Sequence, residues 1–544
     1  MSFNDQNFNL IDDSWIPETT AEWFAWLARE EEKTRNSYLA KPATFISEYI
    51  KEKQIARDYE GREILELLQN AADQARENNS AGRVVIELLP DGLIVANTGA
   101  AFSVGGVQSL ETTHLSPKWR NRRHLIGNKG LGFRSILNWS SSPIILSGEL
   151  NLSYSPQYSK HILTKLMDNP ELKQRVEEVR GATEELVVPL LPFPGYTESG
   201  HLDSFIKTDS AALIYSQCRA WRKRGYDTAL GMPFDRPHFY KEAKEQLEAL
   251  RPEVLLFVEY LVELRFVASG TADRVWRIDG NENLSMVTEN DEPLGLWRIH
   301  RKSDIIPDDK TDTDQKGPLD YEIVVAIPDV ESFGELKPSP LFSYFPTEIE
   351  LPHPVVCHAT LELNQSRNHT QQCDSNTYVL EQLALFLAEV AEIRSSQYPE
   401  GPNAGFRLLL PLKSYPNDLV REKFPEQLIL AARERAIVPT LSGLPLRPQV
   451  ARLVPGVDVV WLPAASFPEV ALIRDSKEKE FFSELGVPQL SNVELRKRLV
   501  ELKSLSIEER ALLISGLIKN NIEKSVHSSS LLLDNNSNQV PDSA

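Results

Sequence analysis

An α/β fold divided among several domains is what this sequence predicts, and three observations carry the prediction. A helical run from Gly61 to about Asn78 is followed at once by two β-rich runs, Arg83–Leu89 and Leu93–Asn97, around the turn Pro90-Asp91-Gly92. A glycine-rich segment, Gly127–Gly132, opens directly into a further helical pattern, Phe133–Trp139. Downstream, strand-like Tyr321–Ile327 and Pro354–Leu363 precede a long amphipathic run, Asn376–Ile393. Helical and strand periods alternate along the chain instead of segregating into blocks.

Residues 1–60 read as a helical lead-in, because Ala21–Ala28 and Ala43–Ile55 repeat their apolar residues at helical spacing. The two β-rich runs form a hairpin, since Pro, Asp and Gly supply the backbone angles a tight reversal needs. Residues 140–235 look irregular apart from a strand at Thr228–Pro233, and Pro252–Phe266 reads as helix and then strand. The polar, turn-rich stretch Asp304–Pro318 is the expected linker. Residues 400–544 are expected to alternate short strands and helices. Near the end, Leu531–Leu533 looks built for burial, and a free terminus rarely keeps such a run without something to pack on. The chain is therefore expected to be one piece of a longer protein.

Composition bounds the function. A formal charge of −19 over 544 residues opposes non-specific nucleic-acid binding by the whole surface, which requires a net positive face. The one dense basic stretch with an aromatic inside it, Lys118–His124, reads as a solvated loop before it reads as a nucleic-acid contact. The acidic amino-terminal stretch lacks the basic region of a secretory signal, and no apolar run is long enough to span a membrane. Cys218, Cys357 and Cys373 are too few and too scattered for a disulfide framework or a zinc site. A cytoplasmic protein with no membrane partner is expected.

Three motifs carry chemistry. In the helix LELLQNAADQA, Glu66, Asn70 and Asp73 stand at i, i+4 and i+7, on one face, beside an apolar stripe of Leu65, Leu68 and Ala72. An amide oxygen there can bind a hard cation that bridges phosphates, while a carboxylate one turn away orients and deprotonates a water. At the hairpin exit, Asn97-Thr98-Gly99 offers polar groups to a base edge. In Gly127-Asn128-Lys129-Gly130-Leu131-Gly132-Phe133, glycines let backbone N–H groups approach an anion, Lys129 adds a point charge, and the following helix offers its positive end. No Lys-Ser or Lys-Thr follows the last glycine, so this is not a Walker loop.

Taken in this order, the three pieces resemble the GHKL (Bergerat-fold) ATPases, the superfamily of DNA gyrase, the ninety-kilodalton heat-shock chaperones, histidine kinases and MutL. Glu66–Asp73 resembles the N-box, Asn97-Thr98-Gly99 the G1 box and Gly127–Phe133 the G2 box. Tyr59-Glu60-Gly61-Arg62 and GNKGLGFRSIL look closest to the chaperone-like branch that includes the amino-terminal domain of sacsin. Leu361-Glu362-Leu363-Asn364-Gln365-Ser366-Arg367 resembles that branch's middle-domain segment, and Thr228 resembles the threonine on the strand closing its adenine pocket.

The resemblance implies a two-layer α/β sandwich over residues 61–270, a transducer-like α/β middle domain over 271–395 and a further α/β region over 396–544. It implies ATP and Mg²⁺ as cofactors and slow hydrolysis to ADP and phosphate, coupled to closure of a lid at residues 100–130. Glu66 would be the general base and Asn70 the Mg²⁺ ligand. Gly127, Lys129, Gly130 and Gly132 would cradle phosphate, Asn97 with Thr228 would contact the base, Asp73, Gly99 and Phe133 would also bind the nucleotide, and Arg367 would sense the γ-phosphate. Protein clients or partner subunits are implied beside ATP and ADP. One departure stands out: the chaperones carry Asp in the G1 box where this chain has Asn97, whose amide can donate as well as accept. The alternative reading is a nucleotide-regulated scaffold, or a subunit of a bacterial defence or repair complex, with little hydrolysis of its own. A histidine kinase is disfavoured, since His114, His124 and His358 do not lie on a phospho-acceptor helix.

Overall fold

The computed structural model describes residues 15–41, 43–58, 60–111, 132–171, 173–174, 177, 188–197, 200–206, 208–281, 283–311, 319–363, 370–454, 459–502 and 505–519. It is a mixed α/β protein with two compact units. Among the described residues, the first runs to Asn281 and includes Ser285–Leu296; the second holds those of Glu282–Leu284, Trp297–Asn364 and Asn368–Ala544.

The first unit begins with helices α1 (Thr20–Ala40), α2 (Ala43–Asp58) and α3 (Glu63–Glu77). A capping box starts α1: the Thr19 side chain accepts from the Glu22 N–H, and the Glu22 carboxylate reaches back to the Thr19 backbone. Strands β1 (Gly82–Leu89) and β2 (Gly92–Asn97) follow as the expected hairpin, in register from Val84 opposite Asn97 to Leu89 opposite Gly92. Next come α4 (Val104–Glu111), a tight 3₁₀ helix at Gly132–Asn138 in place of the expected Phe133–Trp139 helix, β3 (Ile144–Ser147) and β4 (Leu150–Ser153). Then come α5 (Pro156–Leu166), β5 (Gly195–Tyr196), α6 (Asp209–Lys223), β6 (Thr228–Pro233), α7 (Phe239–Ala249), β7 (Leu261–Ala268) and β8 (Arg274–Asn281). The strand order is β8-β7-β1-β2-β6-β3-β4-β5, with β1 parallel to β7 and the other neighbours antiparallel.

Every residue of β2 is buried because both faces of the sheet are covered. On one face, Ile94, Ala96, Ile144, Leu146 and Ala229 meet Ala211, Ile214, Cys218 and Trp221 of α6. On the other lies α3, where Gly82 leaves room for the Ala75 methyl: a Cβ on Gly82 would stand 2.6 Å from it. A two-layer arrangement is therefore incomplete as a description, since α6 adds a layer on the second face. Residues 140–235, read from sequence as irregular, hold β3, β4, β5, α5 and α6. The lead-in is no appendage either: Tyr38, Phe45 and Ile46 share a core with Ile162, Leu163, Leu166 and Phe193.

Strand β9 (Leu284–Glu289) precedes β10 (Glu292–Ile306), whose last residues occupy the start of the expected linker. In the second unit, β10 pairs antiparallel with β11 (Leu319–Pro328), from Trp297 opposite Pro328 to Ile306 opposite Leu319. Beyond it lie β12 (Ser339–Ser343), β13 (Phe345–Leu351) and β14 (Val356–Ala359), in the order β13-β12-β14-β11-β10. The expected amphipathic helix is α8 (Asp374–Gln397). One core joins Ile323 and Val325 of β11 and Leu383 and Leu387 of α8 to Phe406, Phe424, Val438 and Phe482, so residues on both sides of position 395 share it. Beyond α8 the described residues form helices and isolated bridges such as Val438–Leu446 and Thr440–Ala471, and none of the expected short strands is a regular one. Among the described residues no helix is long and apolar enough to cross a membrane.

Candidate functional site

The polar residues of α3 form a line because of helical spacing. Glu66, Asn70 and Gln74 succeed one another at four-residue steps, with Asp73 beside them, so all lie along one side of the helix. Their burial is unusual for such groups: Glu66 is 3% exposed and Asp73 0%, while Asn70 and Gln74 are half-buried. The apolar stripe of Ile64, Leu67, Leu68, Ala71, Ala72 and Ala75 sinks the helix against the sheet and takes the polar row with it.

The carboxyl end of the row meets the end of β2. The Asn97 Nδ2 donates to Gln74 Oε1 at 2.8 Å and to the Thr98 carbonyl at 3.2 Å. Thr98 is itself fixed by β1, its N–H donating to the Arg83 carbonyl and its hydroxyl accepting from the Arg83 N–H. The chain then turns at Gly99, where φ is +136° and the backbone presses on α3: a Cβ there would stand 2.8 Å from Ala75 N and Gln74 C. The Gly99 N–H donates to Asp227 Oδ2 at 2.9 Å, and the Ala100 N–H donates to the Gln74 carbonyl at 3.1 Å.

Register brings in two more groups. Asn97 stands opposite Thr228 on β6, and Thr228 opposite Ser147 on β3, so the three side chains share one face of the sheet. Thr228 and Ser147 hydrogen-bond through their hydroxyls at 2.7 Å, and Ser147 Oγ accepts from the Phe102 N–H at 3.0 Å. Asn97, Thr228 and Ser147 are all buried.

The amino-terminal end of α3 meets the helix that follows the glycine segment. Asn138 Nδ2 donates to Glu63 Oε1 at 3.1 Å and to the Ala56 carbonyl at 2.6 Å, and Gln246 Nε2 of α7 donates to Glu63 Oε2 at 2.5 Å. Burial pushes the Glu63 carboxyl above its ordinary range, opposed by the Gln246 and Asn138 hydrogen bonds. In the same helix Phe133 is buried, and Arg134, 3% exposed, donates to the Leu110 carbonyl at 3.2 Å. Burial lowers the Arg134 pKa against the opposing charges of Glu52 and Glu48 on α2.

The structure thus brings together Glu66, Asn70, Asp73, Asn97, Gly99 and Thr228, while the 3₁₀ helix that holds Gly132 and Phe133 meets the opposite end of α3 through its last residue, Asn138. Gly127, Lys129, Gly130 and Arg367, with His114, His124 and the Lys118–His124 stretch, lie outside the described residues. His358 is a core residue of β14, its Nδ1 accepting from the Tyr344 N–H at 2.8 Å. Sequence reasoning missed Gln74, Asp227 and Ser147. Gln74 carried a signal, one turn beyond Asn70; Asp227 and Ser147 are reached only through strand register. Among the described residues no group of three or more His, Cys, Asp or Glu side chains could hold a metal ion. No protein-family model matches this chain, and no curated protein matches it.

Proposed function

We propose that the chain binds ATP with Mg²⁺ along α3 and uses slow hydrolysis as a conformational switch. The observation that supports this most is the Asn97–Gln74 contact, which joins the G1-like strand end to the helix bearing Glu66, Asn70 and Asp73. From Gln74 back to Glu66 the helix rises ~12 Å, a length comparable with an extended nucleoside triphosphate. Asn97 and Thr228 would then hold the base at one end, and Glu66 would face the phosphates at the other.

The donor set fits this ligand. Mg²⁺ keeps several waters and takes only one or two protein oxygens beside substrate phosphates, a role open to the half-buried Asn70 amide. Glu66 is shielded from bulk water on the same side of the helix, where it would hold and deprotonate the attacking water. Bound Mg²⁺ would supply charge neutralisation at the phosphates.

Titration calorimetry and steady-state turnover on the full chain test the reading. Glu66→Ala should abolish hydrolysis and leave ATP binding largely intact, because removing a base spares the contacts that hold the nucleotide. Asn70→Ala should weaken binding when Mg²⁺ is present and change little without it. Wild-type chain that fails to bind ATP-Mg²⁺ refutes the proposal. Binding with no turnover in wild type or variant would favour the nucleotide-regulated scaffold.

A further inference from the structure

We infer that Gln74 fixes the Asn97 amide so that it presents only its oxygen to a ligand, which makes the site selective for adenine over guanine nucleotides. This rests on the proposed nucleotide site and specifies its base. An asparagine amide is ambiguous in isolation, with two donor hydrogens on nitrogen and an acceptor oxygen. Here both hydrogens have partners: Gln74 Oε1 at 2.8 Å and the Thr98 carbonyl at 3.2 Å.

A pair of facing amides could in principle exchange roles, Gln74 donating to Asn97 instead. The Thr98 carbonyl breaks that symmetry. Turning the Asn97 amide over would set its oxygen against a carbonyl oxygen held in place by the two Arg83–Thr98 hydrogen bonds. Nitrogen therefore faces Gln74 and Thr98, and among the described residues no hydrogen bond ends on Asn97 Oδ1. The neutral amide then offers what a carboxylate would offer at this position, an acceptor without a donor.

The chemistry of the two bases follows. The exocyclic amino group of adenine donates to such an acceptor. Guanine places a carbonyl oxygen at the equivalent ring position, so its oxygen would meet Oδ1 with no hydrogen between them. A buried acceptor facing an acceptor loses a hydrogen bond and leaves both groups unsatisfied. Thr228, opposite Asn97 in the register, shares a hydroxyl hydrogen bond with Ser147 at 2.7 Å in which either group can donate, so the fixed polarity at this end of the site is that of Asn97.

Gln74 is thus a positioning residue, acting through Asn97. The test is titration of the full chain with ATP and with GTP, both with Mg²⁺, in wild type and in Gln74→Leu, Gln74→Glu, Asn97→Asp and the Asn97→Asp, Gln74→Leu double variant. Wild type should prefer ATP by on the order of 10²-fold. Gln74→Leu, which removes the acceptor and frees the amide, should narrow that preference by about tenfold, roughly the worth of one hydrogen bond. Gln74→Glu keeps an acceptor facing Nδ2 and should keep the preference. In the Asn97→Asp background, where no donor exists to be misdirected, Gln74→Leu should leave the ratio unchanged, an insensitivity that a merely structural role would not produce. Equal binding of ATP and GTP by wild type would overturn this inference alone, as would a preference unaltered by Gln74→Leu. Failure to bind either nucleotide would overturn it together with the proposed function.

Discussion

Replacing Gly99 by alanine isolates the packing that holds the end of β2 against α3. Two costs add at this position. The backbone angle, φ +136°, is one that side chains with a Cβ rarely adopt, and holding a residue in such a region costs of order 1–3 kcal/mol. The new methyl would also stand 2.8 Å from Ala75 N, 2.8 Å from Gln74 C and 2.9 Å from Gln74 O. All three are main-chain atoms of a helix and cannot swing aside as a side chain would, so overpacking adds roughly 1–3 kcal/mol. The sum, about 2–6 kcal/mol, should lower the melting temperature of the affected transition by roughly 4–12 °C in calorimetry of the full chain, at about 2 °C per kcal/mol for a unit of this size. ATP affinity should fall with it, because the strand end moves away from Gln74. Gly225 supplies the control: its φ is +90°, yet nothing lies within 4 Å of an added Cβ. Gly225→Ala therefore carries the backbone cost without the clash. If Gly99→Ala proves no more damaging than Gly225→Ala, and ATP still binds normally, the contact between Gly99 and α3 is not what assembles the site.

Two further outcomes are expected. Arg367→Ala should lower kcat by on the order of 10²-fold with little change in ATP affinity, the loss of one cationic donor to developing phosphoryl charge; parallel loss of affinity and turnover in titration and turnover assays would assign it to ground-state binding instead. Burial pulls His201 and His353 down from 6.5 to about 4, so the unfolded chain binds more protons than the folded one in that interval and stability falls as pH drops from about 6.5 towards 4. Melting temperatures at pH 7 and pH 4.5 should differ less in His353→Gln than in wild type, and parallel pH dependences would refute the assignment.

What the sequence made legible was whatever is local. The hairpin announces itself through Pro90-Asp91-Gly92 between apolar runs, and Glu66, Asn70 and Asp73 fall on one face by helix period alone. The segment from 140 to 235 hid its order because β3 and β4 are four residues each and interleaved with serine, glycine and proline, leaving no window long enough to show a period. Beyond residue 400, apolar pairs such as Val438 and Leu446 mimic strands, but each bridge stands alone because the intervening chain packs into a core with α8. At the site, Ser147 lies 81 residues from the Thr228 it bonds, and only the pairing of β3 with β6 makes them neighbours. The role of Asn97 was open for the same reason. Which end of its amide is used depends on Thr98 and Gln74 together, and on Arg83 holding Thr98 in place.

The two ends of α3 differ in what holds them, and the difference bears on how a switch could work. At its amino-terminal end Glu63 is joined to Asn138 and to Gln246 of α7, so the helix is tied to the segment emerging from the glycine loop. At its carboxyl end Gln74 is joined to Asn97 and, through its carbonyl, to the Ala100 N–H, so it is tied to the sheet. A helix is stiff along its axis, and the eleven residue steps between Glu63 and Gln74 fix a rise of roughly 16 Å. Movement at one end must therefore be transmitted as a shift or tilt of the whole element. Arg134 lies four residues before Asn138 in the same short helix, and donates to the Leu110 carbonyl near the end of α4. A displacement of the glycine-loop exit would pull on Glu63 through Asn138 and on α4 through Arg134 at once. Under the proposed function, the phosphate end of the nucleotide acts on that exit while the base end stays anchored at Asn97. Gain or loss of a γ-phosphate would then be felt as a change in tension along α3, with the base contacts as the fixed point.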